Sequence, residues 1–374
     1  MHRHQRYILR QLLGPFLLIT VGLTAVIWLT QSLRFIDMIV NKGLSLSAFL
    51  YFSMLLLPTF LGVILPIALF SAILFTYNKL VIDSEIVSLR SAGQGPWSLA
   101  TPALILATCV CVLVYAINLY FVPLSYREFK SRQFIARADF SSVLLQEGVY
   151  TNLIDDVTVF VRERDARGRL HGIFVHDSRV AAQPVTMMAE RGALVRTEQG
   201  PRFVLLNGNR QEINKSRGQL SLLYFDSYAL DLGYFAEDPA NRWREPRERY
   251  LHELLNPTDS YDDQRNLGKF WAEAHQRIVT PLFSFALTGI AFAALLGGHL
   301  NRRGQWRRIL GGISAAFVFE AISLGLVNAV SKTPDLFFTL YLNVLMTIGI
   351  SIFLLRSRRR RWRSGSVPPP VTAG

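Results

Sequence analysis

The chain has 374 residues, of which 51% are hydrophobic, and its formal net charge is +13. This composition is too apolar for an ordinary soluble protein and too charged for a bare helical bundle, which excludes both of these simple classes. The two cysteines, Cys109 and Cys111, fall inside an apolar segment and do not share a helical face, so we expect no disulfide or metal site from them.

Six apolar segments are long enough to cross a bilayer, which takes about 20 helical residues. Three precede a polar block and three follow it: Leu12–Leu33, Phe49–Tyr77, Trp97–Val122, Ile278–Gly297, Ile309–Val330 and Leu336–Leu355. We expect the first not to be a signal peptide, because it exceeds the roughly 7–15 residues of a signal core. The predicted division is 1–122 for helices one to three, 123–267 for the polar block, 268–356 for helices four to six, and 357–374 for a basic, disordered tail.

The net charge is concentrated on one predicted side of the membrane. Segments Met1–Arg10, Tyr77–Trp97, Leu300–Arg308 and Arg356–Arg363 contain 15 basic and two acidic residues, which equals the whole net charge. The polar block contains 20 basic and 21 acidic residues. The positive-inside rule therefore predicts that both termini are cytoplasmic and that the block lies outside. The basic tail is interpreted as a topology and lipid-headgroup anchor, and we expect no nucleic-acid partner.

The loop after the second apolar segment, Asn78–Gly93, predicts a short amphipathic helix at about 79–93. Asp83 or Ser84 can cap its N-terminus, and Gly93 can end it in a left-handed conformation. One apolar stripe runs at helical spacing: Ile82, Ile86 and Leu89. Two interpretations remain, a surface helix lying on lipid and a helix that docks on a cytoplasmic partner. The acidic residues favour the partner, because anionic lipid repels them.

The polar block is predicted to be β structure. Its short runs rich in Val, Leu and Phe are Val157–Glu163, Arg169–His176, Val185–Ala189, Ala193–Thr197, Arg202–Leu206 and Leu220–Leu232, with turns at 166–168, 198–201 and 207–209. This spacing favours an antiparallel sandwich or barrel-like domain. Runs that are apolar on both alternations fit a sandwich core or, as a second possibility, a trough for an apolar ligand. From about Ala236 to Asn266, the charged composition predicts an exposed return segment.

Glu320 lies in the middle of the fifth apolar segment, and Asn328 follows it. A carboxylate facing lipid is costly, so we expect Glu320 to face protein or a cavity. Gly312, Ala316 and Leu324 share its helical face, where small residues permit close helix approach. An interhelical hydrogen bond is the simpler role for Glu320, and a ligand contact is the alternative.

Several motifs together resemble a known family: Leu57–Pro66, Phe75–Leu80, Asp83–Gly93, Glu147–Tyr150, Gly172–Asp177, Ala189–Leu194 and Leu205–Gly208. They look like the permease family of the lipopolysaccharide export ABC transporter, and the similarity covers nearly the whole chain. Val40–Ser45 and Phe75–Asn78 are more similar to the F subunit than to the G subunit.

The resemblance implies a membrane α-helical fold of six transmembrane helices in the cell inner membrane, with an inserted all-β, jellyroll-like periplasmic domain. It implies that the chain pairs with a paralogous G-type permease and that a dimeric cytoplasmic ATPase binds their coupling helices. Lipopolysaccharide would enter through a gate between spans one and five. ATP-driven closure would then pass it through the jellyroll to a periplasmic β-jellyroll bridge protein, beside a single-span membrane partner. The chain has no GxxxxGK[ST] pattern and no His/Cys metal cluster, so we expect no ATP hydrolysis, cofactor or metal in this subunit.

The resemblance also implies roles for individual residues. The coupling set is Asp83, Glu85, Ile86, Leu89 and Arg90, and the set proposed for the jellyroll interior is Phe203, Leu205, Leu222 and Tyr224. Arg34 and Lys42 lie just beyond the first span, where cations could gather lipid phosphates, although interfacial anchoring explains them too. Glu85 could likewise serve only as a helix N-terminal charge.

Two other classes compete with a transporter subunit. A membrane-anchored sensor or scaffold would use its external β domain to bind a partner without transport. An envelope enzyme is the weakest reading, because His171 and His176 have no paired nucleophile or carboxylate at convincing spacing.

Overall fold

The computed structural model describes residues 3–42, 46–140, 147–154, 156–165, 169–178, 183–197, 200–214, 218–231, 243–296 and 305–363. The chain divides into two compact units. A helical unit comes from Met1–Phe35, Ser47–Glu128 and Arg244–Gly374, and a β unit from Ile36–Leu46 and Phe129–Trp243. The compact units divide after Glu128 and after Trp243. The boundaries at 123 and 267, which describe the ends of the polar block in the sequence, stay predictions.

Eleven α-helices are found in the described part of the chain. They are α1 (Arg3–Lys42), α2 (Leu46–Ile82), α3 (Glu85–Ser91), α4 (Pro96–Ala116), α5 (Val122–Phe140), α6 (Leu251–Leu255), α7 (Tyr261–Arg265), α8 (Leu267–Val279), α9 (Phe283–Leu296), α10 (Gln305–Lys332) and α11 (Phe338–Arg363). Because α11 continues to Arg363, it includes the first part of the predicted tail, while 364–374 lie outside the described residues.

Six helical stretches of the described residues are long and apolar enough to cross a membrane: Arg3–Gln31, Phe49–Ile82, Pro96–Gln133, Leu267–Leu296, Gln305–Lys332 and Pro334–Arg356. The six predicted spans are therefore confirmed. Two stretches change helix type on the way. The third contains a π-helical segment at Ile117–Phe121, and the fourth a 3-10 turn at Thr280–Leu282. Pro281 explains the second change, because proline has no backbone N–H for the α-helical ladder.

Small residues bring the helices of the helical unit close together, as the sequence predicts for α10. A Cβ added to Gly312 would lie 2.9 Å from the Cβ of Ala294 on α9. A Cβ added to Gly289 on α9 would lie 2.9 Å from the Cβ of Ser351 on α11. At these two glycines α9 packs so closely against its neighbours that a side chain larger than the hydrogen atom of glycine would not fit without a shift.

The β unit contains one six-stranded antiparallel sheet in the described residues, with the strands in the order of the chain. The strands are β1 (Tyr150–Ile154), β2 (Val157–Arg164), β3 (Leu170–Asp177), β4 (Val185–Thr197), β5 (Gly200–Asn214) and β6 (Gln219–Asp231). The predicted insertion of an all-β domain between the helical triplets is confirmed. Each strand pairs with its chain neighbours, so the described sheet is a meander without the crossovers of a sandwich.

Three details of the sheet differ from the prediction. The predicted strands Val185–Ala189 and Ala193–Thr197 are one continuous strand, β4, and β1 was not predicted. The predicted turn at 207–209 is wrong, because these residues lie inside β5. Gly208 is needed there for packing, since a Cβ would lie within 2.9 Å of the Phe225 ring on β6. The predicted turn at 166–168 lies outside the described residues, as do 198–199 of the turn at 198–201.

The described part of the segment that leads into the fourth span is folded, and many of its residues are exposed, as the sequence predicts, while a few are buried. From residue 243 onwards it forms the 3-10 turn Pro246–Glu248 and helices α6 and α7, and it buries Glu248 and Asp263. The buried guanidinium of Arg277 on α8 donates to three backbone carbonyls of the turn, those of Pro246, Arg247 and Arg249, at 2.7–3.1 Å. The charged residues are therefore used for internal pairing, which composition alone does not reveal.

Candidate functional site

A cavity of about 750 Å³ lies in the helical unit between α2, α8, α9 and α10. Its lining is mostly aliphatic and aromatic, with Phe70 and Leu74 from α2 and Phe283 from α9 among the contributors. Phe75 and Phe317, which also line it, are strongly exposed, so the cavity opens to the side of the helical unit. Its volume falls within the range of pockets that bind small ligands.

Glu320 lines this cavity, which fits the prediction that its carboxylate faces protein or a cavity. Neighbours on the same helix, Ala316 and Leu324, line it as well. The side chain is half-buried, and no hydrogen bond or ion pair to it is found within the described residues. The predicted interhelical hydrogen bond is therefore not formed with any described residue. A carboxyl group in this position can donate to or accept from a polar group of a bound molecule.

Asn328 and the two predicted headgroup cations contribute little to the described site. Asn328 is exposed on α10, and its backbone carbonyl accepts a hydrogen bond from Ser331 Oγ at 2.8 Å. Arg34 and Lys42 fall within the range of α1, but their side chains lie outside those that the structure describes.

The predicted amphipathic helix at about 79–93 is present in shorter form as α3, Glu85–Ser91, because α2 continues to Ile82. Ser84 is its N-cap residue, but with φ 61° it is left-handed, and neither its side chain nor that of Asp83 caps the helix. Because Glu85 is the first residue of α3, its negative charge still favours this helix end. Gly93, with φ +84°, ends the segment in the left-handed conformation that the sequence predicts.

Ile86 and Leu89, two of the three residues of the predicted apolar stripe, face the protein itself. Ile86 is completely buried in the core of the helical unit, and Leu89 packs against the same core. Arg90 also points inward, with Nη2 3.4 Å from the carbonyl oxygen of Leu296 on α9, and burial lowers the pKa of its guanidinium. The residues exposed around α3 include the third member of the stripe, Ile82, which ends α2, together with Asp83, Val87, Ser88 and Ser91. Ile86, Leu89 and Arg90 of the predicted coupling set therefore hold α3 in place, whereas Asp83 of the same set is exposed.

Sequence reasoning missed one contact of Glu85. The hydroxyl of Tyr7 on α1 donates to Glu85 Oε1 at 3.2 Å. The two residues are separated by 78 positions, and no local pattern of charge or hydrophobicity connects them. The sequence shows only that a tyrosine lies at the start of the first span, which does not indicate its hydrogen-bond partner.

The four predicted interior residues of the β unit divide into two pairs. Phe203 and Leu205 are buried in a core with valines of β2 and β3. Leu222 and Tyr224 are exposed, which differs from the prediction. Alternation along β6 is interrupted, because Phe225 and its neighbour three positions on, Tyr228, both pack against the core. On the neighbouring strand β5, Asn207 has φ 53° opposite this point. Strict alternation from the buried residues would place 222 and 224 on the core side, and the interruption places them on the other side.

The other face of the sheet carries a row of directly paired residues that crosses all six strands. They are Tyr150, Phe160, Phe174, Met188, Asn209 and Tyr224. The Tyr150 ring lies 4.8 Å from the Phe160 ring and 6.1 Å from the Phe174 ring. Together with polar neighbours such as Arg162 and Glu190, the row lines an open groove of about 800 Å³. Among the described residues, no group of three His, Cys, Asp or Glu side chains could hold a metal ion.

Comparison with known proteins agrees with this architecture. The family model described as "Lipopolysaccharide export system permease LptF/LptG" matches residues 6–357. An uncharacterized protein of Rickettsia prowazekii (strain Madrid E), RP871, is 30% identical over 359 residues, which cover 95% of this chain and 99% of the relative. The lipopolysaccharide export system permease protein LptF of Escherichia coli (strain K12) is 26% identical over 235 residues, which cover 62% of this chain and 64% of the relative.

Proposed function

The chain belongs to the family of lipopolysaccharide export system permeases LptF/LptG, and from this premise we propose that it is the F-type permease subunit of an ABC transporter that extracts lipopolysaccharide from the inner membrane. In this proposal both termini and α3 are cytoplasmic, and the β unit is periplasmic. The F-type assignment is supported by the similarity to LptF of Escherichia coli over 235 residues. The distribution of basic residues supports the orientation.

The observation that carries the proposal is the apolar cavity of about 750 Å³ that opens to the side between α2 and α10. A lipid can enter such a cavity from the bilayer without its acyl chains crossing water. Glu320 provides a polar group that can hydrogen-bond to an amide, ester or hydroxyl of the lipid. A soluble substrate would gain little from a lining of Phe70, Leu74 and Phe283.

The helices at the edge of the helical unit support pairing with a second permease. Leu18 and Val21 of α1 and Phe317 of α10 are strongly exposed. Leucine and valine on a helix face suit lipid and a partner helix equally well, so a paralogous G-type subunit can cover these faces in the same membrane. Lipid would then enter between α1 of one subunit and α10 of the other.

A dimeric cytoplasmic ATPase is proposed to dock on the exposed face of α3. The docking surface combines Val87 of α3 with two exposed residues that precede the helix, the apolar Ile82 at the end of α2 and the acidic Asp83. Such a mixture suits a protein groove better than an anionic lipid surface, which repels the carboxylates. Lipid would leave through the β unit towards a periplasmic β-jellyroll bridge protein, and a single-span membrane protein completes the proposed set of partners.

The experiment co-expresses the chain with a G-type paralogue and the ATPase, and measures both co-isolation and ATP-dependent release of lipopolysaccharide from proteoliposomes. Asp83→Lys is expected to abolish co-isolation of the ATPase. Asp335→Lys is the matched control, because it makes the same charge change at the exposed loop between α10 and α11, the opposite end of the span. Release without ATP, or unchanged co-isolation of Asp83→Lys, would contradict the proposal. An isolated chain that binds an envelope protein through its β unit without any ATPase would favour a sensor or scaffold.

A further inference from the structure

Helix α1 is attached to the rest of the helical unit in two different ways. Along its length, an apolar stripe that includes Ile8, Leu12 and Phe16 packs into the core. At its start, side-chain hydrogen bonds join it to the region around α3. His4 Nε2 lies 3.2 Å from Ser98 Oγ at the start of α4, and Tyr7 reaches Glu85 on α3.

The bonds at Tyr7 form a continuous chain. Gln11 Nε2 on α1 donates to the Tyr7 hydroxyl at 2.6 Å, and this hydroxyl donates its proton to Glu85 Oε1 at 3.2 Å. The backbone carbonyl of Gln11 accepts a further bond from Thr76 Oγ1 of α2, at 3.4 Å. The single hydroxyl of Tyr7 is therefore acceptor and donor at once, and it joins two positions of α1 to the first residue of α3.

The two kinds of attachment respond differently to a displacement of α3. Apolar packing has no directional requirement, so it fixes the position of α1 relative to α3 less sharply than a hydrogen bond does. A hydrogen bond needs both its distance and its angle, so Glu85 cannot move without either breaking the bond or moving Tyr7 with it. The opposite side of α1 exposes Leu18, Val21 and Leu29, and these side chains do not restrain the helix through the described core.

We propose that the Tyr7 hydroxyl is a positioning group that transmits movement of α3 to α1, so that the position of the first span follows the state of the protein docked on α3. The proposal rests on the proposed function for the docking of an ATPase at α3. It extends that function with a residue on the first span that touches neither nucleotide nor lipid.

The test compares Tyr7→Phe with wild type in the reconstituted complex of both permeases and the ATPase. Tyr7→Phe removes one oxygen atom and retains the ring. Co-isolation of the ATPase and its hydrolysis rate are expected to stay within about twofold, while lipid released per ATP falls roughly fivefold, the size expected for one lost hydrogen bond. The matched control is Tyr51→Phe, which removes a comparable exposed bond, 3.4 Å long, to Glu128. Its release per ATP should equal that of wild type.

A direct readout uses spin labels at two exposed positions, Ser91 at the end of α3, outside the proposed docking residues, and Val21 on α1, each paired with a label at Asp335. In wild type, ATP binding is expected to shift both distances. In Tyr7→Phe the α3 distance should still shift, and the α1 distance should not. Gln11→Met provides a second variant, because it removes the donor to the hydroxyl, and it should lower release per ATP in the same direction.

Release per ATP that is equal in Tyr7→Phe and wild type would overturn the inference, as would loss of ATPase association, which would mean that the bond only holds α3 in place. Failure of the wild-type chain to bind an ATPase would instead contradict the proposed function itself, so the two failures are distinguishable.

Discussion

Arg249 and Asp263 form a bidentate ion pair in the segment that precedes the fourth span, with Nη1–Oδ2 and Nη2–Oδ1 distances of 2.8 and 2.6 Å. The carboxylate also accepts bonds from the backbone N–H and the hydroxyl of Thr258. Asp263 is only 1% exposed, and the Arg249 guanidinium lies 4.4 Å from the centroid of the Phe270 ring on α8. The pair therefore joins the connecting segment to the first turns of the span.

Asp263→Asn should destabilise the helical unit strongly. The substitution retains the shape of the side chain but leaves the Arg249 charge buried without its counterion, which typically costs about 3–5 kcal/mol. The measurement is the thermal unfolding midpoint of the purified protein in detergent. The control is Arg244→Gln, which removes a more exposed ion pair of 3.7 Å to Glu253 in the same segment and should cost about 0–1 kcal/mol. Equal shifts for the two variants would show that burial of the pair contributes nothing.

Alanine at two adjacent glycines of α10 should have opposite effects. Gly312→Ala places a Cβ 2.9 Å from that of Ala294 and should force α9 and α10 apart. Gly311→Ala meets nothing within 4 Å, so it should stabilise the helix by about 0.5–1 kcal/mol through the lower backbone entropy of alanine. Thermal midpoints measured side by side test this. A gain at Gly312 would mean that the close packing of α9 and α10 is not needed.

Glu320→Leu should make the protein more stable and less active. The substitution removes a polar group that no described residue pairs with, and an acidic side chain in a membrane span costs about 2.5–3.5 kcal/mol on insertion scales. If the carboxyl group contacts the lipid, ATP-dependent release should fall roughly tenfold. The control is Asn328→Leu, an exposed position on the same helix, which should leave release unchanged. Normal release by Glu320→Leu would remove Glu320 from the lipid site.

Photo-crosslinking at two positions of the β unit should distinguish the faces of the sheet. A crosslinker at the buried Phe203 is expected to capture lipopolysaccharide when ATP is supplied, and one at the exposed Tyr224 is not. The adduct is detected by its shift on a gel. Capture at Tyr224 alone would instead place the lipid in the groove beside Phe160 and Phe174.

The apolar spans and most strands could be predicted because their signal is local. A run of about 20 apolar residues is typical of a membrane-spanning helix. Val157, Val159 and Val161 occupy alternate positions, as in a half-buried strand. Gly192 and Gly208 suggested breaks, yet both lie inside long strands. At each, a Cβ would clash with a neighbouring strand, which is a tertiary fact that no window of sequence contains.

The candidate site was only partly predictable for the same reason. The position of Glu320 in an apolar run indicated a carboxylate that faces protein or a cavity, and of these two the structure shows a cavity. For α3, the periodic apolar residues predicted a helix correctly but not which of its faces is available to a partner. Periodicity shows that Ile86 and Leu89 lie on one side of the helix. It cannot show whether that side meets a partner or the protein's own core.

The sheet of the β unit has a consequence for the order in which the protein can be made. Every strand pairs with the strand next to it in the chain, and the last of them ends at Asp231. All pairing partners of the described sheet therefore exist before the ribosome reaches α8. Such short-range pairing favours rapid formation, so the insertion can complete its hydrogen-bond ladders while the last three spans are still unmade. A chain stopped after the insertion would then already have a finished sheet on one side of the bilayer, with only three spans to anchor it.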